Sequence, residues 1–439
     1  MKKRAALPFG ILSFAFIACY TMADYNFQKV DHALEEGNYS AVYEKIDADR
    51  THIYSSFDKS LEALDKGILL HYAGDFAASN KELSGAEDLF RTYAAKSVSQ
   101  TAGSLLINDT ITDYAGDPYE DVYTNVFMAL NYLHLGKFDD SMVEIRRFDT
   151  KLKEISAQYQ AQIEAEKIEL ASNARSVPSS GMKFHNSALA HYVSMLLYRA
   201  DKDTDNAAVD ARQIQNAFQF QPALYDFPFP QTVHDELSVP RGQCRLNLLA
   251  FTGRAPEKKE ESLPLWAVDA FYRIALPVME MRKSSINAVE FYAENTKTGE
   301  RYFSKAEKIE SIENIAAHTY EQKYALIVAK TIARMTAKLA ASVALDVAAD
   351  KIDDGIVSAV FSILGFASKV SAFATERADV RTSRYFPANA FVSGINLAEG
   401  TYDVKVVFKY RNRIVFTRSY AGVAVRKNDV NLVEAFCLR

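Results

Sequence analysis

Three turns of one form, Gly37-Asn38-Tyr39, Gly74-Asp75-Phe76 and Gly136-Lys137-Phe138, punctuate the first third of the chain, each a glycine, a polar residue and an aromatic. They constrain the fold more than any other feature, because the sequence beside them keeps a helical period. Around the third turn, Val122, Tyr123, Val126, Leu130 and Leu133 recur at three- and four-residue steps, and Met142, Ile145, Phe148, Leu152 and Ile155 resume the pattern beyond it. Tyr119 to Ile155 therefore reads as one helical hairpin. Such a hairpin cannot bury its apolar faces alone and predicts neighbours of its own kind.

About the third turn, Ala129, Tyr132, Ser141, Ile145 and Phe148 stand at spacings that resemble the tetratricopeptide repeat, in which small residues let two helices approach and aromatics fill the groove between them. Gly67, Leu70, Ser79, Leu83 and Ala86 fall at the same offsets about the second turn. An insertion containing Thr101-Ala102-Gly103-Ser104 and Asn108-Asp109 displaces the third turn from a regular repeat. A charged, Gln-rich helical extension follows from Ser156 to Leu170 and stops at Ser176-Val177-Pro178-Ser179-Ser180-Gly181. A fourth helical pair fits Ser187 to Phe218, divided by Asp201-Lys202-Asp203-Thr204-Asp205. Pro222, Pro228, Pro230 and Pro240 then mark a boundary.

From Arg241 the period shortens to two. Cys244, Leu246, Leu248 and Ala250 alternate with their neighbours, Ala288 to Tyr292 returns through Tyr302-Phe303, and Tyr402 to Tyr410 with Ile414 to Arg418 makes the clearest hairpin. Between them lies a long Ala-rich helix from about Glu313 to Ile352. Lys323, Lys330, Arg334 and Lys338 stack on one side of it, either a solvated face or a basic stripe for anionic surfaces. Gly355 to Phe373 is apolar but too short to span a bilayer, and reads as a buried helix or a membrane-dipping segment. The expected fold class is α+β: a tetratricopeptide-like helical domain over 24–220, a Pro-rich linker over 221–240, and a β-rich domain over 241–439 with inserted helices at about 313–374.

The first 23 residues read as a signal peptide, with Lys2-Lys3-Arg4 before an apolar run to Ala18. Phe16-Ile17-Ala18-Cys19 resembles the lipobox of bacterial lipoproteins, with Phe16 where leucine is usual, and implies lipidation of Cys19. Cleavage after Thr21-Met22-Ala23 is the alternative. Only Cys244 and Cys437 then remain, either a disulfide of an oxidising compartment or two buried thiols. Charge is uneven: 18 acidic against 8 basic residues from Asp24 to Glu120, but 22 against 29 from Arg241 to Arg439.

No Gly-x-Ser-x-Gly elbow, phosphate-cradling glycine loop, His-Glu-x-x-His or paired Cys-x-x-Cys is present. The sequence therefore nominates no catalytic residue, metal or cofactor, and the acidic repeats argue against nucleic acid. In the central hairpin, Asn131, Glu144, Arg146 and Arg147 are the candidate partner-binding residues. Glu144 and Arg147 either pair along the helix or leave an arginine free to meet a peptide carboxylate.

Tyr119-Glu120, Ala129-Leu130-Asn131-Tyr132-Leu133, Gly136 and Val143-Glu144-Ile145-Arg146-Arg147 resemble a family of uncharacterised bacterial lipoproteins. So do Leu246 to Phe251 with Gly253, Pro256, Lys258, Glu260 and Pro264, and Ala378-Asp379-Val380-Arg381 with Pro387, where Tyr385 and Phe386 replace the more usual Trp and Leu. The resemblance implies a lipid-anchored envelope protein, on the periplasmic face of the outer membrane, working beside other envelope proteins or lipoproteins. The expected role is a protein-interaction scaffold. The alternatives are an envelope hydrolase and a secretion or assembly component.

Overall fold

The structure is a computed structural model that describes residues 25–99, 110, 112–170, 184–267, 270–324, 327–328, 331 and 377–439. Its helical part comprises α1 (Gln28–Glu35), α2 (Tyr39–Ala48), α3 (Arg50–Ile53), α4 (Lys59–Ala73), α5 (Phe76–Ser99), α6 (Pro118–His134), α7 (Phe138–Leu170), α8 (Ala188–Ala200), α9 (Thr204–Phe220) and α10 (Thr232–Glu236). Local chemistry sets many of their ends. Asn38, Ser187 and Asp203 each accept a hydrogen bond from a backbone amide in the first turn of the helix they start. Asp117 and Glu120 form a reciprocal capping box with Pro118 at the first helical position. Gly74 ends α4 at φ +86°, a left-handed conformation that favours glycine.

The pairs α4/α5 and α6/α7 pack by one device. Ser79 Oγ donates to the Gly67 carbonyl at 2.7 Å, and Ser141 Oγ to the Ala129 carbonyl at 2.9 Å. At Gly67 the approach is so close that a Cβ would lie 2.5 Å from Leu83 Cδ2 and 3.1 Å from the Leu83 backbone nitrogen.

The second half builds a seven-stranded sheet in the order β8-β7-β4-β5-β6-β1-β9, plus a separate ribbon of β2 and β3. The strands are β1 (Cys244–Thr252), β2 (Glu257–Ala267), β3 (Ala270–Glu280), β4 (Ala288–Asn295), β5 (Arg301–Ser311), β6 (Asn389–Leu397), β7 (Gly400–Tyr410), β8 (Arg413–Val425) and β9 (Asn431–Cys437). Every pairing is antiparallel except β1 with β9. The sheet curls toward a barrel, bringing its two edges together: Tyr420 of β8 donates to the Glu434 carbonyl of β9, and Arg439 Nη1 to the Val415 carbonyl at 2.9 Å. A helix over 312–324, α11, follows β5.

Alternation along the strands feeds two cores. Leu246, Leu248 and Ala250 of β1 face the concave interior with Phe291, Val406 and Phe408. Leu249 and Phe251, together with Ile309, Val392 and Phe436, join the helical residues Leu69, Tyr123, Phe127 and Leu196 in a second core. Helices and sheet therefore share one interior. The Pro-rich stretch expected as a linker is part of it, since Leu224, Tyr225 and Val233 are buried there.

The disulfide expectation is corrected. Cys244 and Cys437 are free and buried, and the parallel register puts Cys437 beside Thr252, at the other end of β1 from Cys244. Eight residues of strand separate the positions by roughly 26 Å, far beyond a disulfide. Burial raises both thiols, Cys437 to about 11.

Candidate functional site

Among the described residues, a dense set of buried ionisable groups surrounds the segment 377–388, which runs between the helices, β2 and β6. Arg381 holds it in place. Its Nε and Nη2 fork onto Asp379 at 2.8 and 2.9 Å, and its Nη1 donates to Asp58 Oδ1 at 3.1 Å and to the Thr112 carbonyl at 2.8 Å. Burial would lower the Arg381 guanidinium, but Asp379 and Asp58 outweigh that and raise it.

Lys258 of β2 enters from the opposite side. Its Nζ lies 2.7 Å from Asp117 Oδ2 and donates to the Arg381 carbonyl at 3.0 Å. Burial pulls the lysine down, yet Asp117, Asp379 and Glu120 more than offset this and hold it above the ordinary lysine range. Glu120 is in turn fully enclosed. Its Oε2 accepts from Tyr114 OH at 2.6 Å and from the Asp117 amide at 2.9 Å, and its Oε1 from the Ser383 amide at 2.6 Å and Thr382 Oγ1 at 3.2 Å. One side chain thus completes the α6 cap and ties down the segment.

Asp65 of α4 approaches Ser383 from below, accepting from Ser383 Oγ at 2.5 Å and from Tyr54 OH at 2.8 Å. Burial raises its carboxyl to about 7 despite those two donors. Burial and the nearby Asp117 raise Glu120 as well. Two desolvated carboxyl groups therefore flank Ser383, the arrangement an acid-base pair would need. Both have no exposed surface, so a glycan cannot touch them while residues 377–388 stay in place. Their direct effect is to fasten this segment to α4 and α6.

Three further carboxylates do the same elsewhere. Glu310, at a bulge in β5, accepts from Tyr123 OH, from Ser187 Oγ at 2.6 Å, from the Leu189 amide at 3.0 Å and from Tyr225 OH at 2.8 Å. Glu236 gathers Arg199, Arg245, Asn247 and Tyr192. Glu434 of β9 pairs with His134 and, at 3.6 Å, with His71. Burial alone would raise Glu434, but the two imidazoles hold it down to about 2.

The expected contact residues divide. Asn131 is fully buried, donating to Ser79 Oγ and Asn80 Oδ1, each at 2.8 Å, with its Oδ1 2.7 Å from His71 Nδ1. Glu144 is buried against Asn125 Nδ2 at 2.8 Å, and Arg147 reaches it at 3.4 Å. These two serve the interior because α6 and α7 approach closely enough to enclose them; Arg146 and Arg147 remain exposed. Lys323 does not join an outward stripe either. It is half-buried, 3.6 Å from Asp117 Oδ1, and burial lowers its ammonium more than Asp117 restores it. Lys330, Arg334, Lys338, Cys19 and the segment from Gly355 to Phe373 lie outside the described residues.

Fold and site together define a mixed α+β protein whose helical hairpins are riveted to a curled sheet by buried carboxylates. No protein-family model, curated protein or solved structure matches the chain. Among the described residues, no group of three or more His, Cys, Asp or Glu is arranged to hold a metal. No helix among them is long and apolar enough to cross a membrane.

Proposed function

We propose that the chain is an exported, lipid-anchored scaffold of the bacterial cell envelope, built on tetratricopeptide-like hairpins, with a contact surface for an envelope protein at the α6–α7 turn. One observation carries the reading. Leu135, Phe138 and Val143 are 40, 39 and 44% exposed within nine residues, beside the solvent-facing Arg146 and Arg147. Exposed apolar side chains beside arginines suit a protein partner. The shared offset of the Ser79–Gly67 and Ser141–Ala129 bonds supports the repeat-like reading. The lipobox-like Cys19 supports the anchor. The sealed position of Asp65 and Glu120 favours a scaffold over a hydrolase.

A photo-crosslinking residue at Val143 tests this in living cells. A discrete adduct is expected there and not at Val209, which is exposed to a similar degree, 40%, on α9. Cys19→Ala should move the protein out of the membrane fraction and weaken the Val143 adduct. Equal labelling at the two positions would reject the surface, and unchanged fractionation of Cys19→Ala would reject the anchor.

A further inference from the structure

A chain of alternating charges runs along the foot of the β2–β3 ribbon. Glu35 lies 3.8 Å from Arg254, and Arg254 Nη1 donates to Asp31 Oδ1 at 2.5 Å. Asp31 Oδ2 accepts from Arg384 Nη2 at 3.3 Å, and Arg384 Nη1 donates to Glu257 Oε2 at 3.1 Å. That same Glu257 oxygen is also the nearest acid to Arg282, at 3.9 Å, too long for a hydrogen bond. The series therefore runs acid, arginine, acid, arginine, acid, arginine and stops, with the last arginine sharing a carboxylate already engaged by its neighbour.

Arg282 Nη1 donates to the Arg384 carbonyl at 3.4 Å, but other donors at this end lack an acceptor. Arg282 Nε and Nη2, Arg384 Nε and the Tyr385 hydroxyl are all buried without a hydrogen-bond partner among the described residues. Tyr385 itself is 1% exposed, and its hydroxyl lies within the fields of Asp65, Arg384 and Asp31. Burial, and then repulsion from Arg384 and Arg254, lower Arg282 to about 10. A buried donor left unsatisfied costs roughly 1–3 kcal/mol, more when it is charged. Four such donors on adjoining residues, every one offering hydrogen and none accepting in a bond, describe the lining of an acceptor of negative charge.

We infer that Arg282, Arg384 and Tyr385 form a binding site for a phosphate oxyanion, which supplies the missing acid at the end of the charge series. A guanidinium offering two adjacent N–H groups matches two phosphate oxygens in a bidentate contact. The site lies close to the surface, since the side chains of Arg282 and Arg384 keep 13 and 18% of their surface exposed, although the four unpaired donor atoms are themselves covered. Its position suits a headgroup. Arg384 stacks 4.1 Å over the ring of Phe27, eight residues after Cys19, so the phosphate of an anionic lipid and free phosphate are both sources of this chemistry. The lipid source rests on the anchored reading proposed above; binding of phosphate itself does not.

The exported protein, purified in phosphate-free buffer, is titrated with inorganic phosphate by calorimetry, with chloride at matched ionic strength as the control. Saturable binding is expected for phosphate alone. Tyr385→Phe removes only a hydroxyl without a partner, so it should fold as the parent does yet bind about tenfold more weakly, the weight of one hydrogen bond to a charged group. Arg282→Gln should abolish binding. Heat in chloride equal to that in phosphate, or full affinity in both variants, would overturn the site. Flotation of the Cys19→Ala chain with phosphatidylglycerol vesicles, against phosphatidylcholine vesicles, separates the sources. Preferential flotation lost in Arg282→Gln assigns the headgroup. Flotation unaffected by that substitution overturns the lipid source and leaves free phosphate. Loss of anchoring in cells with phosphate binding intact would reject the anchored reading alone.

Discussion

At Asp65, burial and hydrogen bonding oppose each other within one side chain. An aspartate in an unfolded chain titrates near 3.8, whereas here the carboxyl is raised to about 7 because burial outweighs the donors Ser383 and Tyr54. Between those pH values the native state keeps a proton that the unfolded state has released. Its contribution to stability is therefore fully present below the lower value and is lost as pH rises through the upper one. The gap corresponds to on the order of 4 kcal/mol. Glu434 acts in the opposite sense and at lower pH: held at about 2, its pairing contributes above the ordinary glutamate range and disappears as acid is added. Whole-protein pH curves mix the two. Asp65→Asn isolates the first, since an amide keeps the neutral shape at every pH. Urea midpoints at pH 4.5 and 7.5 should show the variant gaining on the parent as pH rises, by up to that amount. A difference that stays constant between the two pH values would show that Asp65 is ionised throughout.

Helix pairing turns on single glycines. At Gly67 the facing Leu83 presents both its side chain and its backbone within contact distance of any added methyl, so Gly67→Ala must push α4 from α5. The expected loss is about 1–3 kcal/mol, against a helix-propensity gain of at most ~1 kcal/mol. Gly85, in α5, faces open space, and Gly85→Ala should stabilise by roughly 0.5–1 kcal/mol. Opposite shifts in the denaturation midpoint are expected, and a loss at both would deny the contrast. Elements of this kind were legible in the sequence, because the Gly-polar-aromatic turns, the helical period and the caps all act within a few residues. The β7–β8 hairpin was legible for the same reason: its two-residue turn puts Arg411 at φ +46° and Asn412 at φ +67°, a conformation asparagine accepts. The ribbon was missed, since Pro264 and Pro277 interrupt the alternation that reveals strands. The parallel pairing of β9 with β1 was missed as well, because nothing local specifies a partner almost two hundred residues away. The buried network left one faint signal: Asp65 occupies a position that Leu61 and Ile68 assign to the apolar face of α4. That Glu120 and Ser383 complete its surroundings follows only from the tertiary fold.

The sequence divides the chain at the Pro-rich stretch, but the interior does not. Tyr123 and Ser187 from the helical half and Tyr225 from the stretch itself close on Glu310 of β5. Tyr39 OH donates to the Phe436 carbonyl of β9 at 3.1 Å, and Tyr72 OH to the Tyr385 carbonyl at 2.8 Å. Cutting at residue 220 would strip the helices of the apolar cover supplied by Leu249, Phe251, Val392 and Phe436. It would also leave Glu120 and Asp65 without Ser383. Each hydrogen bond lost from such a buried carboxyl costs roughly 1–3 kcal/mol, a large share of the whole stability of an ordinary domain. The isolated segment 25–220 is therefore expected to keep helical far-ultraviolet dichroism but to lose its near-ultraviolet signal and bind hydrophobic dye, as a chain with secondary structure and no fixed packing does. The intact protein should unfold in one calorimetric transition whose measured enthalpy equals the van't Hoff value. Two resolved transitions, with the first reproduced by the isolated segment, would show instead that the helical hairpins fold on their own and that the shared core only docks them.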